Sequence, residues 1–287
     1  MSSTINRRKL IAFSAAAGST LLPGSRAFAQ DSTPAASPAA EPVALDEATT
    51  ISVGAVPVPH GEILQFVQDN LAGDYNLTIE TVEFTDYVQP NTALDEGELD
   101  ANFFQHLPYL EDFNEQHGTE LVPVVPVHIE PLGIYSDSIE SLDEIEDGAV
   151  VAIPNDVMNG GRALKLLEDN GLLTLDPDVD NPTVIDIVDD PKGLEIVELE
   201  AAQLGRSLPD TTISVINGNY ALEADLTPAE DALALESAED NPYANYLVVR
   251  EGDEERPEVV LLGALLNSDE VRSFIEETYE GSVIPAF

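Results

Sequence analysis

The strongest constraint on this chain is an alternation of two apolar periods. From residue 51 onward, short β-branched and aliphatic runs such as ISVGAV (51–56) and LTIETVEF (77–84) take turns with helix-like segments. The helical spacing of Glu62–Leu71 puts Ile63, Phe66 and Val67 on one face. Strands that alternate with helices in this way predict an α/β fold. Pro57–Gly61 reads as a turn. Pro90 can open a short helix, because the first helical turn has no use for the N–H that proline lacks. A helix at Pro108–Gln116 and a strand at Glu120–Val127 follow. VHIEPLGIYS (127–136) then passes through Pro131 and Gly133 as a crossing, and a second unit begins near Ser141. That unit is expected to hold a strand at Ala149–Ile153, a helix at Asn159–Asn170 stopped by Gly171, and strands at Thr183–Val188, Leu194–Leu199 and Thr212–Ile216. The chain crosses back around Tyr246–Arg250, and helices at Pro257–Leu266 and Ser268–Tyr279 complete the first unit.

Charge excludes whole classes of partner. With 55 acidic against 11 basic residues and a formal charge of -44, no basic face is available for nucleic acid or anionic lipid. The acids read as a solvated surface that keeps a monomer soluble at some cost in self-repulsion. The absence of cysteine removes disulfides, thiol chemistry and any lipidated cysteine. No nucleophile elbow, Walker loop or dinucleotide fingerprint is present, so neither enzyme chemistry nor a cofactor is expected. The histidines, His60, His106, His117 and His128, have no helical metal spacing. Asp176, Asp178 and Asp180 resemble the start of a calcium loop, but Asn181 and Ile187 stand where its glycine and closing glutamate belong. No metal site is expected.

The N-terminus reads as an export signal over residues 1–29. Arg7-Arg8 precede a short apolar stretch, Leu10–Leu22, and Ala27-Phe28-Ala29 offers a small-residue cleavage site, a pattern suited to the twin-arginine route. An uncleaved anchor is the alternative. Residues 30–46, rich in Pro, Ala and Ser, read as a disordered tether.

Chemistry-bearing residues gather in EFTDYVQPNTALDEGELDANFFQHLPYLE (83–111). Tyr87, Phe103, Phe104, His106 and Tyr109 supply apolar surface with polar tips; Gln89, Asn91, Asn102 and Gln105 supply neutral donors and acceptors. Such a mixture suits either a small-molecule pocket or a core segment. Farther on, Asn155-Asp156 and Asn159-Gly160-Gly161-Arg162 lie between a strand and a helix, where Arg162 is either a carboxylate clamp or a surface arginine paired with an acid. Asn217-Gly218-Asn219-Tyr220 is either an ordinary turn or a set of amides whose carbonyls meet an ammonium, and Asn245 is a similar case.

DYVQPN, DANFFQHLPYL, VHIEPLG, AIPND with NGGRAL, LEAAQL, VINGNYAL, NPYANYLVVR and SVIPAF occur in that order between residues 86 and 287. Taken together they resemble the methionine-binding lipoprotein family, the NlpA type, over about residues 50–287. The family consists of solute-binding components of ABC importers. The resemblance implies a two-lobed periplasmic-binding-protein fold, type II-like, with residues 47–132 and 246–287 in lobe 1 and 133–245 in lobe 2. Two crossing segments would act as a hinge. It implies a ligand cleft lined by Tyr87, Phe104, His106, Tyr109, Asn155, Asn159, Arg162, Asn217 and Asn245, with Asn217 a better candidate than Asn219. It further implies methionine or a close relative as ligand, and an ABC permease with a separate ATPase subunit as partner. Other apolar amino acids and methionyl dipeptides stay open, as does an enzyme or surface interaction module on the same scaffold. The missing cysteine departs from the family pattern and leaves the mode of membrane attachment open for an exported periplasmic, cell-surface or extracellular protein.

Overall fold

The computed structural model describes residues 42–287. The expected leader at 1–29 and most of the expected tether at 30–46 lie outside them. The described chain begins with β1 (Thr49–Ala55), α1 (Glu62–Asn70), β2 (Leu77–Glu83), α2 (Gln89–Asp95), β3 (Ala101–His106), α3 (Leu107–His117) and β4 (Leu121–Ile129). It continues through β5 (Gly133–Tyr135), β6 (Val150–Pro154), α4 (Val157–Asp169), β7 (Thr174–Leu175), β8 (Ile187–Asp189) and β9 (Glu195–Leu199). Next come α5 (Leu204–Ser207), β10 (Ile213–Ile216), α6 (Gly218–Glu223), α7 (Pro228–Asp231) and β11 (Ala234–Leu235). The chain closes with β12 (Ala244–Arg250), α8 (Pro257–Leu266), α9 (Asp269–Tyr279) and β13 (Ile284–Pro285).

These elements form an α/β protein with a sheet in each of two lobes. The first sheet runs β13-β4-β12-β3-β1-β2 and the second β11-β5-β10-β6-β9. β1, β2 and β3 are mutually parallel where they pair, and so are β6, β9 and β10; β12 and β5 run against their neighbours. The chain passes from the first sheet to the second through Glu130–Leu132 and returns between β11 and β12. Each sheet carries its own core. One gathers Ile51, Val53, Leu64, Phe103, Leu262 and Ile275; the other gathers Ile134, Val151, Leu164, Leu167, Ile213 and Val215.

Local chemistry sets the element ends. Asp156 caps α4 by accepting from the Asn159 N–H at 2.8 Å, and Ser268 caps α9 through Val271. Gly118, at φ +70°, supplies the left-handed residue that ends α3. Pro123 and Pro126 cannot donate to a ladder, and the β4–β12 register shifts beside the residues opposite them. One expected strand is largely absent. In Thr183–Val188 the Asp186 carboxylate takes both the backbone N–H and the hydroxyl of Thr183, each at 2.8 Å. That closes a tight turn at Val184–Asp186, and only Ile187–Asp189 pairs as a strand.

Candidate functional site

In open α/β sheets ligands bind beyond the carboxyl ends of parallel strands, and here four such ends converge. β3 ends in His106. β6 leads through Asp156 into α4, which carries Asn159 and Arg162. β10 leads into Asn217 and α6. β1 leads into the turn that carries His60. β12 contributes Asn245, paired with His106 on one side and His128 on the other. Between these ends lies a cavity enclosing about 350 Å³ of empty space, its opening to solvent included.

Tyr87, Phe104 and Tyr109 form its apolar wall. Their rings lie 5.8–6.2 Å apart in tilted and edge-on pairs. Along β3 successive side chains point to opposite faces, so Phe103 enters the core while Phe104 enters the cavity. The Tyr109 hydroxyl donates to the Tyr87 carbonyl at 3.0 Å, which fixes the wall.

The polar wall is oriented by a chain of hydrogen bonds that starts at a backbone amide. The Tyr109 N–H donates to His106 Nδ1 at 3.2 Å, so the neutral ring must carry its proton on Nε2. Nε2 then donates to Asn159 Oδ1 at 3.1 Å, while Asn159 Nδ2 donates to the Asp156 carboxylate. Asn159 Oδ1 also accepts from Asn217 Nδ2 at 2.9 Å. Asn217 is thereby left with Oδ1 buried at the cavity and without a protein partner. Burial and the Arg162 charge lower the His106 pKa to about 3, which keeps the ring neutral.

Arg162 is not a surface arginine, although it does pair with an acid. It is buried and lines the cavity, and it is paired with an acid. Nε and Nη2 fork onto the Glu236 carboxylate at 3.0 and 2.5 Å, and Nη2 also donates to the Glu130 carbonyl at 2.9 Å. Tyr243 stacks on the guanidinium, 4.1 Å from ring centre to Cζ, and Asn241 steadies Glu236. Nη1 takes none of these partners.

Asn245 lines the cavity too, but with the opposite polarity to that expected. His60 Nε2 lies 3.2 Å from Asn245 Oδ1 and 3.3 Å from Glu130 Oε1; two acceptors require Nε2 to be the donor. Asn245 Oδ1 is therefore engaged, and its NH2 is the group left for a ligand. Asn155 is not part of the cavity. It sits one residue before the Asp156 cap, its N–H pairs with the Leu199 carbonyl, and its exposed side chain reaches Glu200. The amides of Asn91, Asn102 and Gln105 mostly satisfy one another in a buried network, so they stiffen β3 and α2.

Besides the Arg162 bond to the Glu130 carbonyl, three contacts join residues from either side of the crossings. The Tyr87 hydroxyl donates to Asn219 Oδ1 at 2.5 Å, the Tyr220 hydroxyl to the Thr85 carbonyl at 3.2 Å, and His106 to Asn159.

Residues 51–287 match the family model described as NlpA lipoprotein. The chain belongs to that family. It is 42% identical over 237 residues to the D-methionine-binding lipoprotein MetQ of Escherichia coli strain K12, covering 82% of this chain and 87% of the relative. It is 40% identical over 242 residues to the methionine-binding lipoprotein MetQ of Bacillus subtilis strain 168, covering 82% and 87%. A nutrient-binding protein from Burkholderia cenocepacia, solved bound to methionine, superposes with a TM-score of 0.80 at 45% identity, over 83% of this chain and 100% of that one. Among the described residues no helix is long and apolar enough to cross a membrane.

Sequence reading missed four residues at or behind this cavity: Glu130, His60, His128 and Tyr243. Glu130 lines the cavity, buried, with His128 Nε2 at 2.8 Å and His60 Nε2 at 3.3 Å from Oε1. Burial raises its pKa, opposed by His60, the Asn219 N–H and Arg162. The signal was present in VHIEP, where residues two apart on a strand share a face. The donor atoms of His60, His128 and Glu130 lie within 4.8 Å of one another, a spacing an ion could bridge. A metal would need both Nε2 atoms stripped of hydrogen. That would move the protons to Nδ1 atoms that are buried without any acceptor. The set fits hydrogen bonding better than coordination. Asn219 also belongs to the cavity, with a buried Nδ2 that has no partner.

Proposed function

We propose that this chain is an exported solute-binding protein that captures methionine, or a close relative, between its lobes and delivers it to an ABC permease driven by a separate ATPase subunit. One observation carries the reading: the cavity presents an unpaired acceptor, Asn217 Oδ1, opposite a guanidinium, with an aromatic wall beside them. Buried polar atoms without partners call for an explanation, and an amino-acid zwitterion supplies one. Its ammonium donates to Asn217 Oδ1 and to Glu130. Its carboxylate accepts from Arg162, Asn245 Nδ2 and Asn219 Nδ2. Its side chain lies on Tyr87, Phe104 and Tyr109, where a thioether gains ~0.3–1.5 kcal/mol from aromatic contact. The names and bound ligand of the relatives support methionine as the occupant.

The mechanism is equilibrium capture. Residues 47–132 with 246–287 and residues 133–245 would move as two bodies about the crossing segments, and closure is favoured only by contacts the closed form adds. The protein acts as a monomer, exported by the leader at 1–29 and spaced by the tether at 30–46. Without cysteine in the sequence, attachment to a membrane would not use a lipidated thiol.

Native mass spectrometry of the purified protein should release methionine, and calorimetry should rank methionine and norleucine far above aspartate and lysine, whose extra charge would be buried unpaired. A series in which acidic, basic and thioether amino acids bind alike would refute the reading.

A further inference from the structure

His60 and His128 do not line the cavity, yet both are fully buried behind Glu130, which does, and both aim Nε2 at the same oxygen, Glu130 Oε1. Their Nδ1 atoms are buried without partners. The tautomer follows from this arrangement. Protons on Nδ1 would bury two unpaired donors and leave Glu130 Oε1 facing two lone pairs. Protons on Nε2 instead let His128 donate to Oε1 and let His60 share one N–H between Asn245 Oδ1 at 3.2 Å and Oε1 at 3.3 Å. The backbone N–H of Asn219 also faces the Glu130 carboxylate. These donors favour the ionised carboxylate and oppose the burial that raises its pKa.

We propose that His60 and His128 are positioning residues of the ligand site: as neutral Nε2–H imidazoles they hold Glu130 as an unprotonated acceptor for the ligand's ammonium, and His60 turns the Asn245 amide so that its NH2 meets the carboxylate. The proposal rests on the reading of the cavity as a site for an amino-acid zwitterion. It assigns to two side chains outside the binding wall the choice of which end of the ligand goes where. Phe103, 4.7 Å from the His60 ring and 5.3 Å from His128, buttresses both rings from the core side.

The test compares methionine with its deaminated analogue, which keeps the thioether chain and the carboxylate. Both are titrated calorimetrically into the wild-type protein, His128→Leu and His128→Gln, each first checked for a cooperative melt. His128→Leu keeps bulk and loses the donor. It should cut methionine affinity at least tenfold and move the analogue less than threefold. His128→Gln, with an amide N–H near the position of Nε2, should recover most of that loss. Equal losses for both ligands would make His128 a packing residue and overturn the proposal, as would unchanged methionine affinity in His128→Leu. A wild-type protein that binds the analogue as well as methionine would instead overturn the zwitterion reading itself, before any variant is measured. If His128→Leu does not fold, nitrogen NMR of the histidine-labelled wild type decides the matter, with His60→Gln and His128→Gln used to assign the signals. Both rings should be neutral with the proton on Nε2, and a proton on Nδ1 of either ring overturns the proposal.

Discussion

Arg162→Ala tests the site most directly, and the structure separates its two effects. The guanidinium is buried, and the proposed carboxylate would meet it away from bulk water. Removing one partner of a buried charge pair costs ~2–5 kcal/mol in binding. At about 1.4 kcal/mol per tenfold, that is roughly a 30-fold to several-thousandfold rise in Kd. Stability falls as well, because the fork to Glu236 and the bond to the Glu130 carbonyl disappear together. The Glu236 side chain is 18% exposed, so its orphaned carboxylate can still find water. The expected loss is therefore roughly 2–3 kcal/mol, between the limits for buried and exposed pairs. Thermal melts read the second effect. Calorimetry with methionine, at a temperature where the variant is folded, reads the first. Arg162→Lys should fall between the two proteins, since it keeps the charge and loses the fork. A folded Arg162→Ala protein with wild-type affinity would show that the guanidinium only braces Glu236, and the carboxylate assignment would fail.

Three further outcomes are expected. Asn217→Ala should weaken methionine binding by ~1.5–3 kcal/mol, the worth of a hydrogen bond to a charged group; an equal loss for a ligand without the amino group would mean that Oδ1 does not meet the ammonium. Tyr109→Ala should weaken methionine while leaving alanine about as poor a ligand as before, and a parallel loss for both in competition assays would remove Tyr109 from the side-chain pocket. Burial lowers the His60 pKa from 6.5 to about 4, so below pH 6.5 the unfolded chain takes a proton that the folded chain refuses. The stabilisation is present above pH 6.5 and is lost as pH falls toward 4; the stability of the wild type relative to His60→Gln should shrink by roughly 2 kcal/mol between pH 7 and 5. Denaturation in molar salt, which screens the acidic surface, is the assay, and a constant difference would contradict it.

The fold was largely legible because its signals are local. Alternating periods marked β1, β2, β4, β6, β9, β10 and the longer helices, punctuated by Pro90 and Gly171; β3 went unread as a strand, and Tyr246–Arg250, expected as a crossing, lies in β12 at the middle of the first sheet. Thr183–Val188 was not legible, since a side chain three residues away closed a turn that apolar content disguised as a strand. The cavity was legible in part. Tyr87, Phe104, His106, Tyr109, Asn159, Arg162, Asn217 and Asn245 come together around it. Glu130 was indistinguishable by type among 55 acids and was marked only by its spacing from His128, and Tyr243 matters because the return crossing lays it over Arg162. Asn155 looked equivalent to Asn159, but Asn155 precedes the Asp156 cap by one residue and stays exposed, while Asn159 follows it by three, inside the first turn of α4, and faces inward. The polarity of Asn245 depended on His60, 185 positions earlier, and no local pattern encodes that.

The bonds that bridge the lobes have a consequence for selectivity. Tyr87 meets Asn219, and His106 meets Asn159, so the side chains that fasten the two halves together are also walls of the cavity. A molecule too large for the space would not be turned away at the mouth. It could settle on one half, and its excess bulk would then hold Tyr87 away from Asn219 and keep the jaws apart. Discrimination by size would therefore show up as a short residence time on a protein that never finishes shutting, with little difference in the rate of arrival. Stopped-flow traces of oversized amino acids should accordingly show normal association and fast escape.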